Sequence, residues 1–172
     1  HSFPTRRSSD LDPVGTPHPK IVLPRDLFGS NRPNSRGLDL ANERVLADLA
    51  AVLLAQPSSS NGVESSTARP VLNPADHRDI VGGVVEATTA SIDDACTRAQ
   101  PWQAPPSERA ETLRRAADLL EARMAEMLGT IVREAGKTLG NAVGEVREAV
   151  DFLRYYAGCI VGFDNATHRP LG

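Results

Sequence analysis

A mainly α-helical fold carrying one short β-hairpin is predicted by this 172-residue sequence. Three observations predict it. Two apolar stripes recur at steps of three and four across residues 107–156, the spacing that lines one face of a helix. β-Branched residues gather in a single convincing strand region, 69–88, which has room for two short strands. Elsewhere proline, glycine and small polar residues punctuate the chain.

The elements follow in order. Residues 1–11, HSFPTRRSSDL, have no periodicity and resemble the in-frame translation of a sequencing-adapter oligonucleotide, so they are expected to be an artefact with no part in the fold. Residues 12–67 read as a linker holding one helix. Prolines 13, 17, 19, 24 and 33 keep 12–36 extended. Leu38, Ala41, Val45, Leu49 and Val52 then mark a helix over 38–55, with Asp39 as its expected cap. A polar loop, QPSSSNGVESST, fills 56–67. Residues 1–36 and 56–67 are expected to pack poorly, because they bury too little apolar area to offset chain entropy.

In the strand region, Val71 and Leu72 precede the turn signal Asn73-Pro74, and Gly82-Gly83 reads as a bulge or turn within the second strand. Ser91-Ile92-Asp93-Asp94 fits a capping box opening a helix through Ala99. Three prolines around Trp102 then break the chain. The central stretch is expected to be two helices joined at Glu134-Ala135-Gly136-Lys137-Thr138. The first, capped by Ser107, carries Leu113, Ala116, Leu120, Met124 and Met127 on its stripe and leaves Arg114, Arg115, Glu121, Arg123 and Glu126 mostly to water. Gly136 ends it in left-handed geometry and Thr138 caps the next, whose stripe is Leu139, Val143, Val146, Val150 and Leu153. Gly158 and Gly162 are expected to end that helix. With only one other long helix and a hairpin to cover these stripes, Leu120, Met124, Val146 and Val150 are expected to be only partly buried.

The net charge of −3, with basic and acidic residues interspersed, argues against a nucleic-acid surface, which needs clustered Lys and Arg. No apolar run approaches the ~20 residues of a membrane span. Two cysteines, Cys96 and Cys159, make neither a disulfide framework nor a metal site, so a reduced, cytoplasmic chain is expected.

The joint Glu134-Ala135-Gly136-Lys137-Thr138, followed by Glu145-Val146 and Asp151-Phe152-Leu153-Arg154-Tyr155-Tyr156, resembles the N-terminal helical region of the aldehyde dehydrogenase superfamily. Pro24-Arg25-Asp26-Leu27-Phe28-Gly29, Gly37-Leu38-Asp39-Leu40-Ala41-Asn42-Glu43 and Arg69-Pro70-Val71-Leu72-Asn73-Pro74 narrow the resemblance to the L-glutamate γ-semialdehyde (pyrroline-carboxylate) dehydrogenase module of the bifunctional proline utilization A flavoenzymes. It implies that residues 68–172 are the N-terminal helical part of such a domain, truncated before a Rossmann-type sheet. The parent would be an α/β oxidoreductase and homo-oligomer using NAD, with FAD in an upstream proline dehydrogenase domain. Its small-molecule aldehyde would form a thiohemiacetal on a catalytic cysteine, pass hydride to NAD and leave as the acid. Two rival readings stand beside it. One is an aldehyde dehydrogenase for another substrate. The other is a non-catalytic helical interaction module, favoured if the two stripes close on each other and on residues 38–55.

Few residues here suit catalysis. Cys96 follows Asp93-Asp94, a poor setting for a thiolate nucleophile, and Cys159 sits at an expected helix end; neither has the flanking pattern of the family nucleophile. His1, His18, His77 and His168 lie in loops or termini without metal-ligand spacing. Lys137 is expected to neutralise helix-end carbonyls, and Glu134 to serve as a helix-terminal or inter-helix partner, so with Gly136 they are structural. Asn141 and Glu145, four apart on one face, are the substrate-proximal candidates by resemblance, against a solvated face as the plainer reading. Gly82-Gly83 is not followed by the spacing or helix of a phosphate loop.

Overall fold

The structure is a computed structural model that describes residues 18–30, 32–55 and 68–164. The adapter-like residues 1–11, the polar loop 56–67 and the segment from 165 onward lie outside the described residues. The chain divides into two compact units, 1–34 and 35–172.

In the first unit a 3-10 turn spans Pro24–Asp26, where proline presets the backbone angle. It is closed by the Asp26 N–H donating to Leu23 O at 2.9 Å and the Asn34 N–H donating to Arg25 O at 2.8 Å. Residues 18–30 are exposed throughout, in keeping with a linker.

The second unit holds α1 (Glu43–Ala55), β1 (Arg69–Asn73), β2 (Asp76–Val84), α2 (Thr89–Arg98), α3 (Pro106–Ala122), α4 (Met124–Ala135) and α5 (Leu139–Asp164). Among the described residues the fold is thus mostly helical with an antiparallel hairpin, as the sequence predicts. α3 runs along α5, while α4 packs on α5, on α1 and on both strands. Ala110 and Ala117 of α3, with Ala142 and Ala157 of α5, are fully buried. Small side chains at these positions suit a close approach of the two helix backbones. Around them, Leu49, Met124, Leu128, Val143, Val146 and Val150 complete the core, with Leu38, Leu40, Leu53 and Leu120 packed at its margin.

Several local expectations are corrected. The first central helix is broken at Arg123 (φ −102°, ψ 21°), so the expected pair is three helices. That break shifts the helical phase, and Leu128 and Gly129 face the core where Met127 is only half-buried. Pro105 and Pro106 start α3 without a side-chain cap, which places Ser107 inside the helix. α1 begins at Glu43, and its cap is Asn42, whose Oδ1 accepts from the Arg44 and Val45 amides. Asp39 instead closes a turn, accepting from the Ala41 amide. α2 is capped by Thr88, whose Oγ1 accepts from the Ser91 amide at 3.1 Å, so Ser91 lies within the helix it was expected to open. α5 continues through Gly158 and Gly162, since packing of Ala157 outweighs the modest helix penalty of glycine.

Burial also departs from expectation. Met124, Val146 and Val150 are covered to 5%, 4% and 0% exposure, because α1 packs on α4 and its Leu49 joins α3, α4 and α5 residues in one apolar cluster. Ser35 is 5% exposed, so the loosely packed linker ends before residue 35.

Candidate site at the helix joint

The joint between α4 and α5 is built by local chemistry. Gly136 takes φ 65°, ψ 24°, and its N–H donates to Val132 O at 3.1 Å, ending α4 as a left-handed cap. Thr138 starts α5: its Oγ1 accepts from the Asn141 amide at 3.3 Å, and its carbonyl from the Ala142 amide at 2.9 Å. The hairpin turn presses on this joint, since a Cβ added at Gly136 would stand 2.8 Å from Pro74 Cγ. Lys137 reaches eight residues forward and pairs with Glu145 Oε1, so its ammonium meets a carboxylate of α5 in place of the α4 carbonyls. Asn141 and Glu145 are exposed one turn apart on α5. Glu134 is exposed at the rim of a cleft of about 470 Å³ between α4 and the hairpin, whose lining includes Gly82, Gly83, Arg123, Thr130 and Arg133. The structure therefore brings Lys137, Asn141 and Glu145 to one end of α5 and leaves Glu134 on the cleft side.

Two polar clusters that sequence reasoning missed brace the helices, one beside the joint and one further along α5. The hairpin register jumps from Leu72↔Ile80 to Asn73↔Asp76, which bulges residues 77–79 out of the ladder. Asp79 there accepts from Arg133 Nε at 3.0 Å and from Asn73 Nδ2 at 3.0 Å, with Arg133 and Asp79 each about one-fifth exposed. On the other side, Arg154 is 9% exposed and donates to Asp118 Oδ1 at 2.9 Å and Glu121 Oε2 at 3.1 Å. Burial alone would raise the Glu121 carboxyl, but hydrogen bonds from Arg154 and the Arg36 amide outweigh it and hold it below its ordinary value. The sequence carried a signal for this cluster. Arg154 lies four residues beyond Val150 and eight beyond Val146, so it sits on the buried phase of α5 and needs partners there.

Cys96 is exposed on α2 and Cys159 is half-buried on α5. Among the described residues no group of three His, Cys, Asp or Glu side chains could hold a metal ion, and no helix is long and apolar enough to cross a membrane. Gly82 and Gly83 pair with Val71 and Pro70 inside the ladder, beside a bulge at Val81.

A model of the aldehyde dehydrogenase family matches residues 62–170, and the chain belongs to that family. It is 54% identical over 173 residues to the bifunctional protein PutA of Klebsiella aerogenes, covering 92% of this chain and 13% of that protein. A 1-pyrroline-5-carboxylate dehydrogenase of Staphylococcus aureus is 34% identical over 107 residues, 58% of this chain and 20% of that protein. The crystal structure of a bifunctional proline utilization A protein matches 81% of this chain and 13% of its own, with a TM-score of 0.63 and 34% identity. The chain thus spans a small part of the length of these relatives.

Proposed function

We propose that this chain is the N-terminal helical segment of an NAD-dependent dehydrogenase that oxidises L-glutamate γ-semialdehyde to glutamate in proline breakdown. The observation that carries this is the 54% identity to a bifunctional PutA across 92% of the chain. The parent is a cytoplasmic homo-oligomer, with an FAD-binding proline dehydrogenase domain upstream. Within the segment, Asn141 and Glu145 face the amino-acid end of the aldehyde. Lys137 holds the Glu145 carboxylate in place, and that carboxylate complements the substrate's ammonium group. Glu134, Gly136 and Lys137 are structural.

The described residues do not fit the dinucleotide. The lysine at the joint is tied to Glu145, and the glycine pair lies within a strand ladder rather than opening a helix. The chain alone is expected to carry out no oxidation. A second reading has support of its own: the stripes close on each other and on α1, as a self-folding helical interaction module would require.

Measuring NADH formation with L-glutamate γ-semialdehyde, for this chain and for the product of the whole gene, tests the proposal. Turnover is expected only from the whole product, and Glu145→Gln there is expected to raise KM more than it lowers kcat. A whole product that prefers another aldehyde overturns the substrate, and one with no dehydrogenase activity favours the interaction module. Turnover by the chain that is lost in Cys96→Ser or Cys159→Ser overturns its non-catalytic role.

A further inference from the structure

Residues 35–37 are held to the helices by polar groups at two points. The Ser35 N–H donates to Asp151 Oδ1 and its hydroxyl to Asp151 Oδ2, both at 2.7 Å. Arg147, one turn earlier on α5, donates its Nε to Ser35 Oγ at 3.2 Å. The second hold is the Arg36 N–H, which donates to Glu121 Oε1 on α3 at 2.6 Å while the Arg36 residue stays exposed. The Arg147 guanidinium also covers Gly37, where an added Cβ would stand 3.6 Å from Nη1. Only beyond this point does the chain become apolar, with Leu38 and Leu40 packed against the core.

We propose that residues 35–37 form a clasp that opens locally while α3 and α5 stay folded. The chain would leave the helices at Ser35 when the clasp is closed and at Leu38 when it is open. The reason is that opening strands no charge. Glu121 keeps Arg154, and Arg154 keeps Asp118 as well. Asp151 and Arg147 are four residues apart on one helix, the spacing at which opposite charges pair. Val146 and Val150 are buried with α3 and α4 residues in one apolar cluster, so the core persists without the clasp. Each hold is a charge-assisted hydrogen bond, and the Ser35–Asp151 pair lies in a partly buried setting, which keeps the closed form dominant.

Trypsin reads the device directly, because the Arg36–Gly37 bond can enter a protease only when the Arg36 amide leaves Glu121. In the intact chain under native conditions, cleavage at Arg36 is expected to be slow beside cleavage at the exposed Arg25. Asp151→Ala is expected to speed cleavage at Arg36 about tenfold or more, in proportion to the larger open population. In the intact chain, cleavage at Arg36 is expected to change little with low urea, whereas cleavage at Arg114 and Arg115 within α3 rises steeply with it, because opening the clasp exposes little surface and cutting α3 requires unfolding. Ser35→Ala, which keeps the backbone bond, is expected to give a smaller acceleration and covers the case in which Asp151→Ala does not fold. Unchanged cleavage at Arg36 in Ser35→Ala, or a rise with urea at Arg36 as steep as that at Arg114 and Arg115, overturns the proposal.

Discussion

α2 and α5 are both amphipathic helices, and they meet opposite fates. α5 buries Ala142, Val143, Val146, Val150 and Ala157, whereas α2 buries no residue and leaves Ile92 52% exposed. α5 is braced at Arg154 by two carboxylates of α3. α2 relies on its Thr88 cap and on the exposed i,i+4 pair of Arg98 with Asp94. Ten residues make a marginal helix in water unless tertiary packing helps it. The contrast teaches that an apolar stripe tells where a helix wants a partner. Whether the chain supplies that partner depends on contacts between elements, which the stripe does not encode.

The largest effect is expected where the bundle is fully closed. Leu128 has 0% exposure, and Leu128→Ala removes buried methyl groups and leaves a cavity among Leu49, Ala117 and Val146. Roughly 2–5 kcal/mol of stability should be lost, measurable by urea unfolding monitored at the helical dichroism band. A loss below about 1 kcal/mol would mean that the bundle can collapse around the gap, and the contrast with α2 would then be one of degree.

Next comes the joint, where the bundle meets the hairpin. Gly136→Ala forces a side chain into a left-handed position and against the Pro74 ring. The loss is expected at roughly 1–3 kcal/mol, with faster amide exchange in the hairpin than in α3. Equal exchange in both would place the hairpin inside the cooperative unit of the bundle.

A smaller effect follows from Glu121. Its carboxyl is held below the ordinary glutamate value of 4.5 in the folded state. The stability it contributes is therefore complete above that value and fades as the pH falls through the folded one. Glu121→Gln is expected to flatten the fall in bundle stability below about pH 4.5, the ordinary value, while leaving α2 unaffected. An unchanged acid profile would show that Arg154 is satisfied by Asp118 alone.

The parts that were legible in the sequence are those set by local chemistry. The left-handed Gly136, the Thr138 cap, the hairpin turn at Asn73-Pro74 and the Val143/Val146/Val150 stripe all follow from residue type and spacing. What was missed depends on neighbours distant in sequence. Arg123 has no breaking residue beside it, yet the helix breaks there and resets the phase of everything up to Gly136. The closure by α1 could not be read from α1's own stripe. Glu121 looked like a solvated acid because its partners, Arg36 and Arg154, are 85 and 33 residues away. Of the candidate residues, the proximity of Lys137 to Glu145 is likewise a product of the turn's geometry rather than of a motif spacing.

The smallest expected effect is on α2, and it bears most directly on the comparison. Ile92 is its one large aliphatic side chain, and none of its residues is buried among the described residues. Replacing an exposed Ile by Ser removes little buried area and exchanges one middling helix former for another. Ile92→Ser should therefore change the stability of this chain by no more than about 0.5 kcal/mol. In the product of the whole gene the outcome separates two origins for the stripe. If α2 is a solvated helix, the substitution is again silent. If the stripe is covered by a part of the protein outside this chain, burial at about 25 cal/mol per Å² makes the same substitution cost about 1–3 kcal/mol there. A loss of that size already in the short chain would show that α2 packs on the bundle, and the contrast between α2 and α5 would fall.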